Sequence, residues 1–149
     1  MEKLEYTRSV FLEALRLNPP VWIQSRAAVE DVKLGGFRIP KDATILLSAH
    51  VTHRLSEYWD DAERFDPNRF MNDLHRKHHR YAYYPFGGGG HRCLGEWFAL
   101  MEGVLVIAAI SQRFNIRYVD TPSLNPVLSM TNQPDPNATV VIEDLRTEA

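Results

Sequence analysis

The sequence predicts an α+β fold in which helix predominates, on three observations. Near the start, Leu4, Phe11, Ala14 and Leu15 recur at helical spacing, and after Cys93 a second, far more apolar helical pattern begins. Between the two lies a strand-like stretch punctuated by glycine and proline.

Residues 1–17 are the first predicted helix, which Asn18-Pro19-Pro20 ends sharply because the residue before a proline avoids helical geometry. No Ser, Thr, Asp or Asn caps its start, as expected where a longer chain continues upstream. Glu13 and Arg16 stand three apart and share one face, enough for an ion pair. Residues 19–25 read as a bend leading into an extended, apolar segment with Val21, Trp22 and Ile23. Residues 27–52 are strand-like, turning at Gly35-Gly36 and again at Pro40-Lys41-Asp42 before a last run over residues 43–52. His50 and His53 are three apart there, but no Cys or carboxylate stands at ligand spacing, so they do not read as a metal site.

Residues 55–69 are polar and rich in turns, with Trp59, Phe65, Pro67 and Phe70 as packing anchors. His75, Arg76, Lys77, His78, His79 and Arg80 make a basic stretch, a solvated loop or a docking face for an acidic partner. The helix after Cys93 places Leu94, Trp97, Phe98, Met101, Val104, Leu105 and Ala108 on one face, and Leu100, Ile107 and Ile110 on the other. A helix apolar on both sides is expected to be buried on both. The tail predicts a strand over residues 115–119. It also predicts a hairpin pairing 126–130 with 139–142 around Pro134-Asp135-Pro136-Asn137.

The chemistry concentrates between Tyr84 and Gly95, which hold the only cysteine of the chain. The glycines from Gly87 to Gly90 let the backbone take left-handed conformations and approach a flat ligand closely. Cys93 falls just before a predicted helix start, where unpaired N–H groups and the positive dipole end favour the thiolate, the form that ligates metals. His91 and Arg92 add hydrogen-bonding or positive groups. A phosphate loop is excluded because no G-K-[ST] follows the glycines.

Composition narrows the classes further. A chain of 149 residues, 44% hydrophobic and 24% charged, has the size of one globular domain, and a formal net charge of −2 gives no electrostatic case for nucleic acid. A single cysteine excludes an internal disulfide framework and fits a reducing compartment, the cytoplasm. No apolar run is long enough to span a membrane, which takes about 20 residues.

Phe86, Gly89, His91, Cys93 and Gly95 fit the spacing F-x-x-G-x-[HR]-x-C-x-G, which resembles the haem-binding loop of the cytochrome P-450 family of haem-thiolate monooxygenases. Three further segments match in order: Glu13-Ala14-Leu15-Arg16 its E-x-x-R helix, Pro67-Asn68-Arg69-Phe70 its P-x-R-F segment, and Phe98, Ala99 and Glu102 its continuation after the cysteine. The resemblance covers essentially the whole chain but only the C-terminal portion of the family fold. That portion comprises the E-x-x-R helix, a small β-sheet, the meander, the Cys-loop, a long proximal helix and a C-terminal β-hairpin.

By this resemblance Cys93 is the axial ligand of haem iron, its thiolate donating the electron density that favours O–O cleavage. Phe86 packs beside the sulfur, Gly87, Gly89, Leu94 and Gly95 line the ring, and His91 and Arg26 meet its propionates. Glu13, Arg16 and Arg69 form a scaffold triad, while Val21, Trp22, Ile23, Met130 and Thr131 touch substrate. The family's oxygen-activating central helix has no counterpart here, so no catalytic residue is assigned within residues 1–149. The resemblance implies insertion of one oxygen atom from dioxygen into a small apolar substrate, with electrons from a ferredoxin or a flavoprotein reductase. A truncated, non-catalytic haem-binding or interaction module is the alternative. A cysteine-nucleophile enzyme is a third reading, for which His91 would have to serve as base without an evident acidic orienter.

Overall fold

The computed structural model describes residues 2–119, 127–129 and 131–145. After a 3-10 turn at Glu2–Leu4, the first helix, α1, spans Glu5–Leu17. It buries Leu12, Leu15 and Leu17 together with Glu13 and Arg16. It ends where expected: Asn18 donates its N–H to the Ala14 carbonyl, and Pro19 can offer none.

The chain then forms β1 at Ile23–Ala27, β2 at Val32–Leu34, β3 at Phe37–Ile39 and β4 at Thr44–Ser48. Strands β1 and β4 pair antiparallel with Ser25 opposite Leu46, and β2 and β3 form a hairpin whose turn, Gly35-Gly36, has φ of +57° and +88°. Left-handed values at both turn positions are what glycine supplies without strain. The strand expected over residues 43–52 is shorter than that, because its last part is a one-turn helix, α2, at Ala49–Thr52. The Ser48 hydroxyl caps it by accepting the Val51 N–H at 3.3 Å, which turns the backbone out of the sheet.

Residues 55–69, the segment that the resemblance matches to the meander, pack against α1 through Trp59, with Phe70 just beyond. Two 3-10 segments within Pro67–Lys77 are separated by a kink at residues 71–73. One core joins Leu12, Leu15, Trp59, Phe70, Ala82 and Leu100, so α1, the meander and the later helix share an interior. Phe65 is not one of its anchors; 49% exposed, it points away from the core that Trp59 and Phe70 fill.

The long helix α3 spans Glu96–Ser111 and crosses α1 at Gly103, where a Cβ would stand 2.4 Å from Phe11 Cζ. Leu100 and Val104 are buried on this side. The expectation of two-sided burial is corrected on the adjoining side: Trp97 is 74% and Phe98 64% exposed, and Met101 and Leu105 are exposed with them. Among the described residues, α1 is the helix that covers α3, and it covers one face.

The tail pairs differently from the hairpin expected. Strand β5, Phe114–Tyr118, pairs antiparallel with β8, Val140–Asp144, placing Ile116 opposite Ile142. A separate two-residue pair joins β6, Val127–Leu128, to β7, Asn132–Gln133. Pro134 and Pro136 follow β7 directly, and lacking an N–H they end its ladder, leaving the later strand to close on β5.

Candidate functional site

Cys93 stands three residues before α3, with its side chain exposed. Its position is fixed through the backbone: its N–H donates to the Phe86 carbonyl at 2.9 Å, closing the loop on itself. Two tighter turns lie inside that closure, Gly87 N–H to the Tyr84 carbonyl at 3.0 Å and Arg92 N–H to the Gly89 carbonyl at 3.3 Å. These turns require φ of +74° at Gly87 and +66° at Gly89, a region that costs residues with a side chain about 1–2 kcal/mol.

The glycines differ in what they face. A Cβ on Gly88 would stand 2.6 Å from Tyr81 Cε1, and one on Gly87 would stand 3.2 Å from Gln24 Nε2, so these two pack against protein. Gly89 and Gly90 have nothing within 4 Å of that point, and a Cβ on Gly95 would lie 3.8 Å from Cys93 Sγ. The sulfur is exposed beside backbone stripped of side chains, and Leu94 is fully exposed next to it, so this side of the loop is open. His91 and Arg92 are exposed beside it, and Arg92 is held in a two-pronged ion pair to Glu96, at 2.5 and 2.7 Å.

Glu13 and Arg16 are brought together as expected. Arg16 Nε donates to Glu13 Oε2 at 2.7 Å and Nη2 to Oε1 at 2.8 Å, with both side chains fully enclosed. The remaining guanidinium N–H groups donate to the carbonyls of His53, Ala62 and Arg64, and the Asp66 N–H donates to Glu13 Oε1. Arg69 Nε lies 3.6 Å from Glu13 Oε1, within ion-pair range but beyond hydrogen-bonding reach, and its Nη2 donates to the Asp61 carbonyl. The three residues thus tie α1 to the meander.

Arg26 lies half-buried on β1, its guanidinium donating to the Ser25 carbonyl at 2.8 Å. It shares a cavity of about 500 Å³ with Gln24, Tyr58, Tyr81, Tyr84 and Gly88, so β1 and the cysteine loop border one space. A second cavity of about 660 Å³ runs between the basic stretch and the loop, lined by Arg76, His78, Arg80, Phe86 and Trp97 among others. Cys93 lines neither. His75 and His78 are not simply solvated: their rings lie against Phe70 and Trp59, and burial pushes the His75 pKa down.

Of the predicted substrate contacts, Val21 is exposed and Trp22 and Ile23 half-buried. The Trp22 Nε1–H donates to the Ser129 carbonyl at 2.9 Å and the Asn132 N–H to the Pro20 carbonyl at 2.8 Å, which brings Thr131 beside this stretch. Met130 lies outside the described residues.

His53, fully buried at the end of α2, was not among the predicted site residues. Its Nε2 accepts the Tyr84 N–H at 2.9 Å and its Nδ1 is 3.3 Å from the Arg16 carbonyl. Tyr84 OH meets Thr52 Oγ1 at 3.1 Å, and Tyr83 OH donates to the Leu12 carbonyl at 2.9 Å. Three of these partners, the Tyr84 N–H and the carbonyls of Arg16 and Leu12, are backbone groups, which carry no signal in a sequence.

Comparison with known proteins bears on what this arrangement serves. The family model for cytochrome P-450 matches residues 1–140. Among curated relatives, cyclooctat-9-en-7-ol 5-monooxygenase of Streptomyces melanosporofaciens is 41% identical over 124 residues, 83% of this chain and 27% of that protein. Pentalenene oxygenase of Streptomyces avermitilis is 36% identical, over 88% of this chain and 29% of its own length. The chain therefore spans between a quarter and a third of these relatives. Among solved structures, a cyanobacterial CYP120A1 with retinoic acid bound superposes with a TM-score of 0.88 at 33% identity, over 97% of this chain and 34% of that one. A cytochrome P-450 described as CYP102L1 gives 0.86 at 29% identity, over 97% of this chain and 32% of its own.

Proposed function

Since the chain belongs to the cytochrome P-450 family, we propose that it is the C-terminal, haem-ligating part of a monooxygenase that places one oxygen atom of dioxygen into a small apolar substrate. The observation that carries this reading is the exposed sulfur of Cys93 beside the open backbone of Gly89 and Gly90. Family membership implies haem as the cofactor.

In this reading Cys93 holds the iron as thiolate, with the Phe86 carbonyl fixing its backbone and the start of α3 behind it. When bound, haem supplies the redox chemistry of oxygen activation, and the protein's share is ligation, orientation and electrostatics. His91 and Arg26 offer hydrogen-bond donors to the propionates; a guanidinium matches a carboxylate with two parallel N–H groups. Phe86, Gly89, Leu94 and Gly95 would border the ring, with Gly87, packed on Gln24, holding the loop behind them, and the Glu13, Arg16 and Arg69 network fastens the meander to α1. Val21, Trp22, Ile23, Thr131 and Met130 are the residues assigned to substrate. The names of two relatives, for pentalenene and for cyclooctat-9-en-7-ol, support an apolar substrate class. The basic stretch from His75 to Arg80 is the assigned face for an electron-donating ferredoxin or flavoprotein reductase. The single cysteine and the bacterial relatives support a cytoplasmic setting, and no described helix is long and apolar enough to cross a membrane.

The test is the absorption spectrum of the haem-loaded chain, reduced and under carbon monoxide. A red-shifted, thiolate-type Soret band that Cys93→Ser abolishes is the expected result. Failure to take up haem at all would favour an interaction module instead.

A further inference from the structure

The backbone that delivers Cys93 is fastened at its upstream end by a single imidazole. A carbonyl can only accept a hydrogen bond and an amide N–H can only donate one, so the two partners of His53 select one tautomer: proton on Nδ1 toward Arg16, lone pair on Nε2 toward Tyr84. The ring must be neutral to do both. Burial first, then the positive charges of Arg16 and Arg54 with His50 nearby, push its pKa down to about 4, against the pull of the Arg16 carbonyl. The ring also packs tilted on Tyr83 and edge-on to Tyr84, at centroid distances of 5.1 and 5.3 Å.

What lies on either side of the ring gives this contact its consequence. Arg16 belongs to the enclosed ion pair of α1, and its guanidinium also binds the His53 carbonyl at 2.9 Å. Tyr84 is two residues before Phe86, whose carbonyl takes the Cys93 N–H. An unbroken series of bonds therefore runs from Glu13 through Arg16, His53, Tyr84 and Phe86 to Cys93.

We infer that His53 is a positioning residue for the thiolate: its imidazole joins the start of the cysteine loop to the last turn of α1 and so sets where the sulfur of Cys93 stands. The ligand role of Cys93 is taken from the function proposed above, whereas the fastening itself is a property of the haem-free chain. A histidine that merely filled space would be replaced without consequence by leucine, which is similar in bulk and makes neither bond.

The experiment has a haem-free arm and a haem-loaded arm. In the haem-free chain labelled with ¹⁵N, the fastening predicts the Nδ1–H tautomer of His53 and a through-bond coupling between Tyr84 N and His53 Nε2. In His53→Leu the amides of Tyr84 and Cys93 exchange about tenfold faster, as loss of one hydrogen bond allows. In His53→Gln, whose side-chain oxygen reaches the Nε2 position, both stay near the parent rate. In the haem-loaded chain, the thiolate-type fraction of the reduced carbon-monoxide spectrum falls in His53→Leu at unchanged haem content and returns in His53→Gln. The opposite tautomer, an absent coupling, or equal Cys93 exchange in parent and His53→Leu overturns the inference. Should His53→Leu not fold, the parent coupling and the His53→Gln rates decide. A parent chain that shows the fastening but takes up no haem overturns the proposed function and leaves the fastening standing.

Discussion

Arg16 grips Glu13 with two hydrogen bonds of 2.7 and 2.8 Å in a place that water does not reach, both side chains being 0% exposed. Such a pair is strong because each partner is the other's compensation for lost hydration. Removing either member strands a charge in the interior at a cost of about 3–5 kcal/mol. Glu13→Ala and Arg16→Ala are each expected to lose that much in urea unfolding and to lose haem incorporation, read as haem absorbance per chain. Normal haem content in either variant would count against the scaffold role.

Cys93 is the contrasting case, since its side chain is exposed and its fixed contact is a backbone one. Cys93→Ser should leave the stability of the haem-free chain within about 0.5 kcal/mol, the usual range for surface substitutions. The same variant should lose the thiolate-type Soret band. A large fall in melting temperature without haem would show that the sulfur is a packing group after all.

The crossing of the two long helices predicts a steric effect. A methyl on Gly103 would stand 2.4 Å from Phe11 Cζ, so Gly103→Ala must push the ring or part the helices, at a cost of about 1–3 kcal/mol. Adding Phe11→Leu to the same chain should recover part of that loss. Two variants with additive costs in denaturant unfolding would argue against the contact.

Acid should weaken the chain earlier than its carboxylates require. The unfolded His53 binds a proton near pH 6.5, whereas the folded one resists until about pH 4. Stability is therefore complete above pH 6.5 and falls as the pH drops through 6.5 toward 4, by about 3 kcal/mol from this group. His50 and His75, both lowered by burial first, act in the same direction. Urea midpoints measured from pH 8 to pH 4 should show this slope, and His53→Gln should flatten most of it.

Local spacing announces some of these features and is silent on others. The helix of Glu13 and Arg16, the Gly35-Gly36 turn and the cysteine loop each depend on residues close in sequence, so their pattern is visible there. Strand β8 pairs with β5 across an intervening strand pair, and the turn residues Pro134 to Asn137 sit next to it without closing its ladder, so a local reading chose the wrong partner. The helix α2 was missed because four residues are too few for a period, and only the Ser48 cap marks them. Of the candidate site, the motif spacing is visible in the sequence, but the place of His53 is not: its partners stand 31 and 37 residues away and both are main-chain atoms.

The uncovered face of α3 has a bearing on how the 149-residue chain behaves in a test tube. Trp97, Phe98, Met101 and Leu105 present a continuous greasy strip to water, and such strips find each other. As protein concentration rises, copies of the chain should stick together through these indole and phenyl rings, so light scattering will grow well before any unfolding begins.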